Sequence, residues 1–261
     1  MRLIALLLVA LLLPGCGESG SERTGSTRTA SAARGAPVVI GTGRPSRDGA
    51  RNPQYPWIEG SFESTLESRF RPPRGYRRLP ADGGSFAAWL RGLPVHPGRG
   101  VIHLHDGTPR RMIGTHVAVL AVDVGERDLQ QCADAVIRLR AEYLRSAGRA
   151  DDIAFRFTSG DLARWTDWRA GTRPRVEGNR VSWSSDGVPE SGYEGFREYL
   201  DTVFTYAGTA SLERELKLVL DATLVEPGDV FIVGGFPGHA MLVLDVAENS
   251  RGERVFLLCQ S

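Results

Sequence analysis

The sequence has almost no surplus of charge: 32 Lys and Arg stand against 31 Asp and Glu over 261 residues, a formal net charge of +1. Proteins that bind nucleic acid nonspecifically use a basic field to release counterions from phosphate, so no nucleic acid is expected as a partner. A strongly acidic surface is missing as well. After about residue 52 no internal repeat and no long linker interrupts the chain, which argues for one domain over residues 52–261. The longest uninterrupted apolar run, Leu3 to Leu13, falls short of the roughly 20 residues that cross a bilayer. Cysteine is scarce, at positions 16, 132 and 259. What is present is ordinary for a folded chain: 41% hydrophobic and 24% charged residues exclude a collagen-like repeat or wholesale disorder.

The apolar run follows Arg2 and ends at Leu13-Pro14-Gly15-Cys16. A charged start, a short apolar middle and small residues at the end read as a secretory signal over residues 1–16. The last four residues resemble the bacterial lipobox, and the resemblance implies that Cys16 is acylated, with palmitate among its lipids, and begins the mature protein. The plainer alternative is an ordinary signal peptide with a free Cys at its end. Gly17 after the lipid-bearing Cys resembles Gram-negative sorting signals for the outer membrane. The expected location is therefore the cell envelope, facing the periplasm, with the membrane as partner through the lipid. Residues 17–51 are rich in Gly, Ser, Thr and Arg, a composition that does not offset its ordering entropy and reads as a disordered tether.

Within the folded part, Ser85 caps a short helix through Arg91. Val101–His105 and Thr115–Asp123 read as strands separated by Asp106-Gly107. A longer helix starts at Asp128, with Gln131 completing a capping box, and runs to about Ser146. Ile153–Thr158 is an expected strand and Trp165–Trp183 is turn-rich. Gly195–Ala207 and Ser211–Leu220 show helical spacing. The ending alternates differently: Val230–Val233, His239–Val246 and Val255–Gln260 read as three strands, the first two joined by a glycine-rich turn. Helices followed by an antiparallel sheet argue for an α+β fold.

Chemistry is concentrated at two residues. Cys132 lies in the first turn of its helix, where unpaired amides favour a thiolate and are able to receive an oxyanion. His239 opens a strand after the glycine-rich turn, placed to take the sulfur's proton. Asp245 lies six residues along the same strand, about 20 Å away at ~3.3 Å per residue, and is excluded as an orienting group. A hairpin between the last two strands brings Gln260 roughly opposite His239, which makes it the candidate orienter. A neutral Gln fixes the ring's direction but stabilises an imidazolium less than a carboxylate does. Gln131, Trp165 and Trp168 are candidates for substrate binding, and Arg164 and Arg169 for gripping a carboxylate.

Gln130-Gln131-Cys132-Ala133-Asp134, Arg138 to Leu144, Glu226-Pro227-Gly228-Asp229-Val230 and Pro237-Gly238-His239-Ala240 resemble a bacterial lipoprotein family, the domain of unknown function numbered 4846. The resemblance spans about Trp57 to the end and implies a chain that continues past Ser261. More distantly, a Cys opening a helix, Pro-Gly-Asp-Val before a strand and Gly-His starting the next is similar to the papain-like peptidases and amidases of the NlpC/P60 and CHAP kind. That likeness implies a Cys-bearing helix packed on a C-terminal antiparallel sheet, with Cys132 as nucleophile and His239 as base. The substrate it implies is peptidoglycan peptide or another envelope amide, cleaved through an acyl-thioester. The sequence departs in having Gln131 before the Cys, Gln260 as the polar third residue and a long Cys-to-His interval.

Other readings remain open. Cys132 shares a helical face with Val136, Leu139 and Tyr143, so it also fits a small core residue, or a disulfide to Cys259 in an oxidising compartment. Under either, the domain is a noncatalytic module binding a glycan, peptide or protein. Cys259 and Gln260 point to opposite sheet faces, so the disulfide and the triad compete. His103, His105 and His116 offer a zinc site and a metal-dependent hydrolase, but lack a supporting carboxylate pattern; no metal and no cofactor is expected. Arg138, Arg140 and Arg145 read as the solvated side of the Cys132 helix.

Overall fold

A computed structural model describes residues 1–5, 38–41, 52, 54–58, 61–110 and 116–261. Cys16, the rest of the lipobox and most of the tether lie outside the described residues. Among the described residues no helix is long and apolar enough to cross a membrane.

The chain runs through strands β1 (Arg2–Ala5) and β2 (Val38–Gly41), helix α1 (Leu66–Arg69), β3 (Tyr76–Arg78), α2 (Phe86–Arg91) and β4 (Ala118–Ala121). Next come α3 (Cys132–Ser146), β5 (Ala154–Arg156), β6 (Leu162–Arg164), α4 (Trp165–Arg169) and the hairpin β7 (Arg173–Glu177) and β8 (Arg180–Ser184). The last third holds α5 (Tyr193–Tyr206), α6 (Thr209–Glu215), β9 (Lys217–Val219), β10 (Val230–Val233), β11 (His239–Asn249) and β12 (Arg254–Gln260). The fold is α+β.

β10, β11 and β12 form an antiparallel unit at the centre of a mixed sheet ordered β4-β2-β12-β11-β10-β1-β9, with β3 added to the far end of β11. Residue alternation explains which face is covered. Val230, Ile232, Ala240, Leu242 and Leu244 are buried in the main core together with Val136, Leu139 and Leu200, and each of the Val, Ile and Leu side chains contributes about 1.5–3 kcal/mol. α2 and α3 pack on β11 and α6 on β10. Val219, Val225, Val243 and Val246 form a smaller cluster of their own. The Pro-Gly-Asp turn before β10 docks on the β11 bulge: Gly228 N donates to Val243 O and Val243 N to Asp229 O, both at 2.8 Å. Gly228 has φ +97°, and a Cβ there would meet Phe86 at 2.7 Å, so the position takes glycine on both counts.

Several sequence expectations need correction. Val101–His105 forms no strand and keeps one bridge, His103 to Pro109. The Asp106 carboxylate accepts from Thr108 N at 2.9 Å, a side-chain turn that folds the segment back before it extends. The long helix begins at Cys132, not Asp128, because Asp134 Oδ2 accepts from Gln131 N at 3.0 Å and makes Gln131 the cap. The turn-rich Trp165–Trp183 stretch contains α4 and the β7–β8 hairpin, and the Ser211–Leu220 helix ends at Glu215 and passes into β9. Within the tether, Val38–Gly41 is a strand parallel to both β12 and β4; averaging over residues 17–51 hides a short β-branched run. Within the signal segment, Arg2–Ala5 pairs in parallel with β9 and β10. Its Leu3-Ile4-Ala5 suits a sheet slot as readily as the apolar middle of a signal.

Candidate functional site

α3 presents Cys132 as its first helical residue, where N–H groups have no partner within the helix. The helix is fixed from behind by a charge network. Arg138, fully buried rather than solvated, donates from Nε to Glu142 Oε1 at 2.7 Å and from Nη2 to Asp123 Oδ1 at 3.0 Å and Tyr193 Oη at 3.1 Å. Its Nη1 reaches Gln130 Oε1 at 3.2 Å, which holds the residues just ahead of Gln131 and Cys132. Arg140 and Arg145 are half-buried, lying 5.2 Å above the Phe86 and Tyr193 rings respectively.

His239 is set by the turn before β11. Gly234 N donates to Glu213 Oε1 at 2.9 Å, and Thr209 Oγ1 donates to Gly235 O at 3.1 Å, so α6 pins residues 234–238. A Cβ on Gly238 would lie 2.0 Å from Thr209 Oγ1, which explains why glycine precedes the histidine. Leu242 pairs with Cys259, so Gln260 reaches His239 on the cross-strand diagonal. His239 Nε2 and Gln260 Oε1 are 2.7 Å apart. With the amide oxygen accepting, the ring proton sits on Nε2 and the Nδ1 lone pair is left to accept another proton.

Cys132, Gln131 and His239 line one cleft of about 500 Å³ with His103, His105 and Arg127. Cys132 and Cys259 are both free, so they form no disulfide. Cys259 points into the core while Gln260 faces the imidazole, and burial pushes the Cys259 thiol well above its ordinary range. A second recess of about 450 Å³ shares Asp128, Gln131, Cys132 and Gly238 with the first and adds Asp134. Burial pushes the Asp134 carboxyl up to about 7, against the pull of the Gln131 amide.

The remaining candidates fall elsewhere. Trp165 and Trp168 are 2% and 8% exposed and pack edge-on against Tyr199 at 5.6 and 5.9 Å; their bulk goes into the core, so they line no groove. Arg169 pairs with Asp151 at 2.8 Å, and neither it nor Arg164 lines the cleft. Asp245 is held by Arg78 and Arg91 at 2.5 and 2.9 Å. His116 is buried with Nε2 3.3 Å from Gly100 O, and among the described residues no three His, Cys, Asp or Glu side chains are grouped to hold a metal ion. Sequence reasoning missed Asp134, whose signal was its place three residues after the Gln131 cap. It also missed Arg110 and Arg127, which lie in irregular segments with no periodicity to assign them a face.

No curated protein and no solved structure matches the chain. Residues 66–261, including every residue of the Cys132–His239–Gln260 group, match the family described as Domain of unknown function (4846), and the chain belongs to that family.

Proposed function

We propose that the protein is a lipid-anchored envelope hydrolase with a papain-like site, cleaving or transferring an amide bond through Cys132. The observation that carries the reading is the 2.7 Å His239–Gln260 hydrogen bond beside the cleft that Cys132 and His239 both line. His239 Nδ1 takes the thiol proton, and the thiolate attacks the amide carbonyl carbon. The oxyanion is received by the Cys132 amide at the helix N-terminus and by the Gln131 side chain. As the C–N bond breaks, the imidazolium returns its proton to the departing nitrogen, leaving a thioester. Water, deprotonated by His239, then releases the acid and restores the thiol. Peptidoglycan peptide or another envelope amide is the substrate class, and the lipid on Cys16 supplies the address.

Iodoacetamide labelling with peptide mapping tests this. Wild-type Cys132 is expected to react rapidly near pH 7 and His239→Ala at least tenfold more slowly. Equal, sluggish labelling of both proteins would leave a noncatalytic binding module as the better account.

A further inference from the structure

The two recesses that meet at Cys132 differ in kind. The one on the His239 side carries Arg110 and Arg127 beside His103 and His105, with Asp128 as its one acidic side chain. Arg110 forms no ion pair among the described residues. Arg127 reaches Asp201 at 3.7 Å while 63% exposed, a geometry that ties up little of its charge. The other recess shares Asp128, adds Asp134, has no cationic side chain among the described residues, and is otherwise walled largely by Leu129, Phe204, Phe236 and Pro237; Phe236 is 81% exposed. An exposed aromatic in one recess and two exposed guanidiniums, one of them only loosely paired, in the other describe a groove with a polarity.

Building on the proposed Cys–His chemistry, we infer that the recess on the His239 side is a subsite for an anionic group, gripped by Arg110 and Arg127. The departing nitrogen takes its proton from His239, so the amine half of the scissile amide lies on the flank that His239 lines. His239 borders the cationic recess and not the apolar one. The substrate class is thus an amide whose amine half bears a carboxylate, with a small or apolar acyl half lying toward Phe236. Guanidinium suits this role because its planar fork matches a carboxylate.

Two alkylating reagents of similar size and opposite demands on charge test it on the full chain: anionic iodoacetate and neutral iodoacetamide, at pH 7 and low ionic strength. The ratio of their rates at Cys132, which cancels any change in thiolate fraction common to both reagents, is expected to fall about fivefold in the exposed double variant Arg110→Gln/Arg127→Gln. Salt at 0.5 M should erase the difference between the two proteins. A ratio that is the same in wild type and double variant overturns the anionic subsite while leaving the Cys–His reading intact, since the positive charge is then the imidazolium's alone. A Cys132 that iodoacetamide modifies no faster than an unstructured thiol overturns the catalytic reading and this inference with it.

Discussion

Asp134→Asn removes the ionisation of a carboxyl that the fold holds in an unfavourable place. Asp134 is 6% exposed, one oxygen accepts from Gln131 N, and the other, Oδ1, meets no donor among the described residues. Burial therefore lifts its titration from 3.8 to about 7. The sign follows from proton counting. Between these values the folded state keeps a proton that the unfolded state has lost, so the group's contribution is most favourable below pH 4, declines as pH rises, and levels off above 7. At ~1.4 kcal/mol per unit, the rise corresponds to roughly 2–4 kcal/mol of lost stability between pH 4 and 8. Asn keeps an acceptor for Gln131 N and cannot ionise. Urea unfolding should give wild type and variant similar stabilities at pH 4, with the variant ahead by that amount at pH 8. Glu142, Asp201 and Glu215 are also raised by burial, but they are common to both proteins and cancel in the comparison. A wild-type-minus-variant difference that stays flat within about 0.5 kcal/mol from pH 4 to 8 refutes the argument.

Arg138→Leu strands the fully buried Glu142 carboxylate and should cost about 3–5 kcal/mol in chemical denaturation, with much of it restored in the Arg138→Leu/Glu142→Leu pair; a single variant within ~1 kcal/mol of wild type counts against the network. Under the proposed Cys–His reading, Gln260→Ala leaves His239 in place but unaligned, so Cys132 alkylation should slow about threefold, less than in His239→Ala; an unchanged rate removes Gln260 from the site. A chain beginning at Cys16 lacks β1, and under the lipoprotein reading it should unfold at the same urea concentration as the full chain; a lowered midpoint means that Arg2–Ala5 belongs to the folded protein.

The last quarter of the fold was the most legible because local signals there agreed with one another. Three alternating β-rich runs, a Pro-Gly-Asp turn and a glycine-rich turn left little freedom, and β10 spans Val230–Val233 as the pattern predicts. Legibility failed where a tertiary partner decides. Arg138 carries the residue type of a solvated face, and its burial is possible only because Asp123 and Tyr193, from other parts of the chain, converge on it and on Glu142 one turn along the same helix. Val38–Gly41 adopts a strand because β12 and β4 leave a gap between them, which no window of local sequence contains.

The site divides along the same line. His239 and Gln260 are linked by one hairpin, so strand period and loop length suffice to bring them together, and a shift of two residues in register still leaves them in reach across the diagonal. The cleft's walls depend on long-range packing instead. Arg110, Arg127, Phe204 and Phe236 come from four separate segments, and their meeting point is fixed only once α3, α6 and the 234–238 turn have docked. The His239–Gln260 pair is thus a property of local chain geometry, whereas the walls of the groove are a property of assembly. Under the proposed Cys–His reading, substitutions in the 234–238 turn or in α6, which pins it, should accordingly alter which amides are accepted before they abolish thiol reactivity, because Thr209 and Glu213 hold the groove wall and His239 through the same five residues.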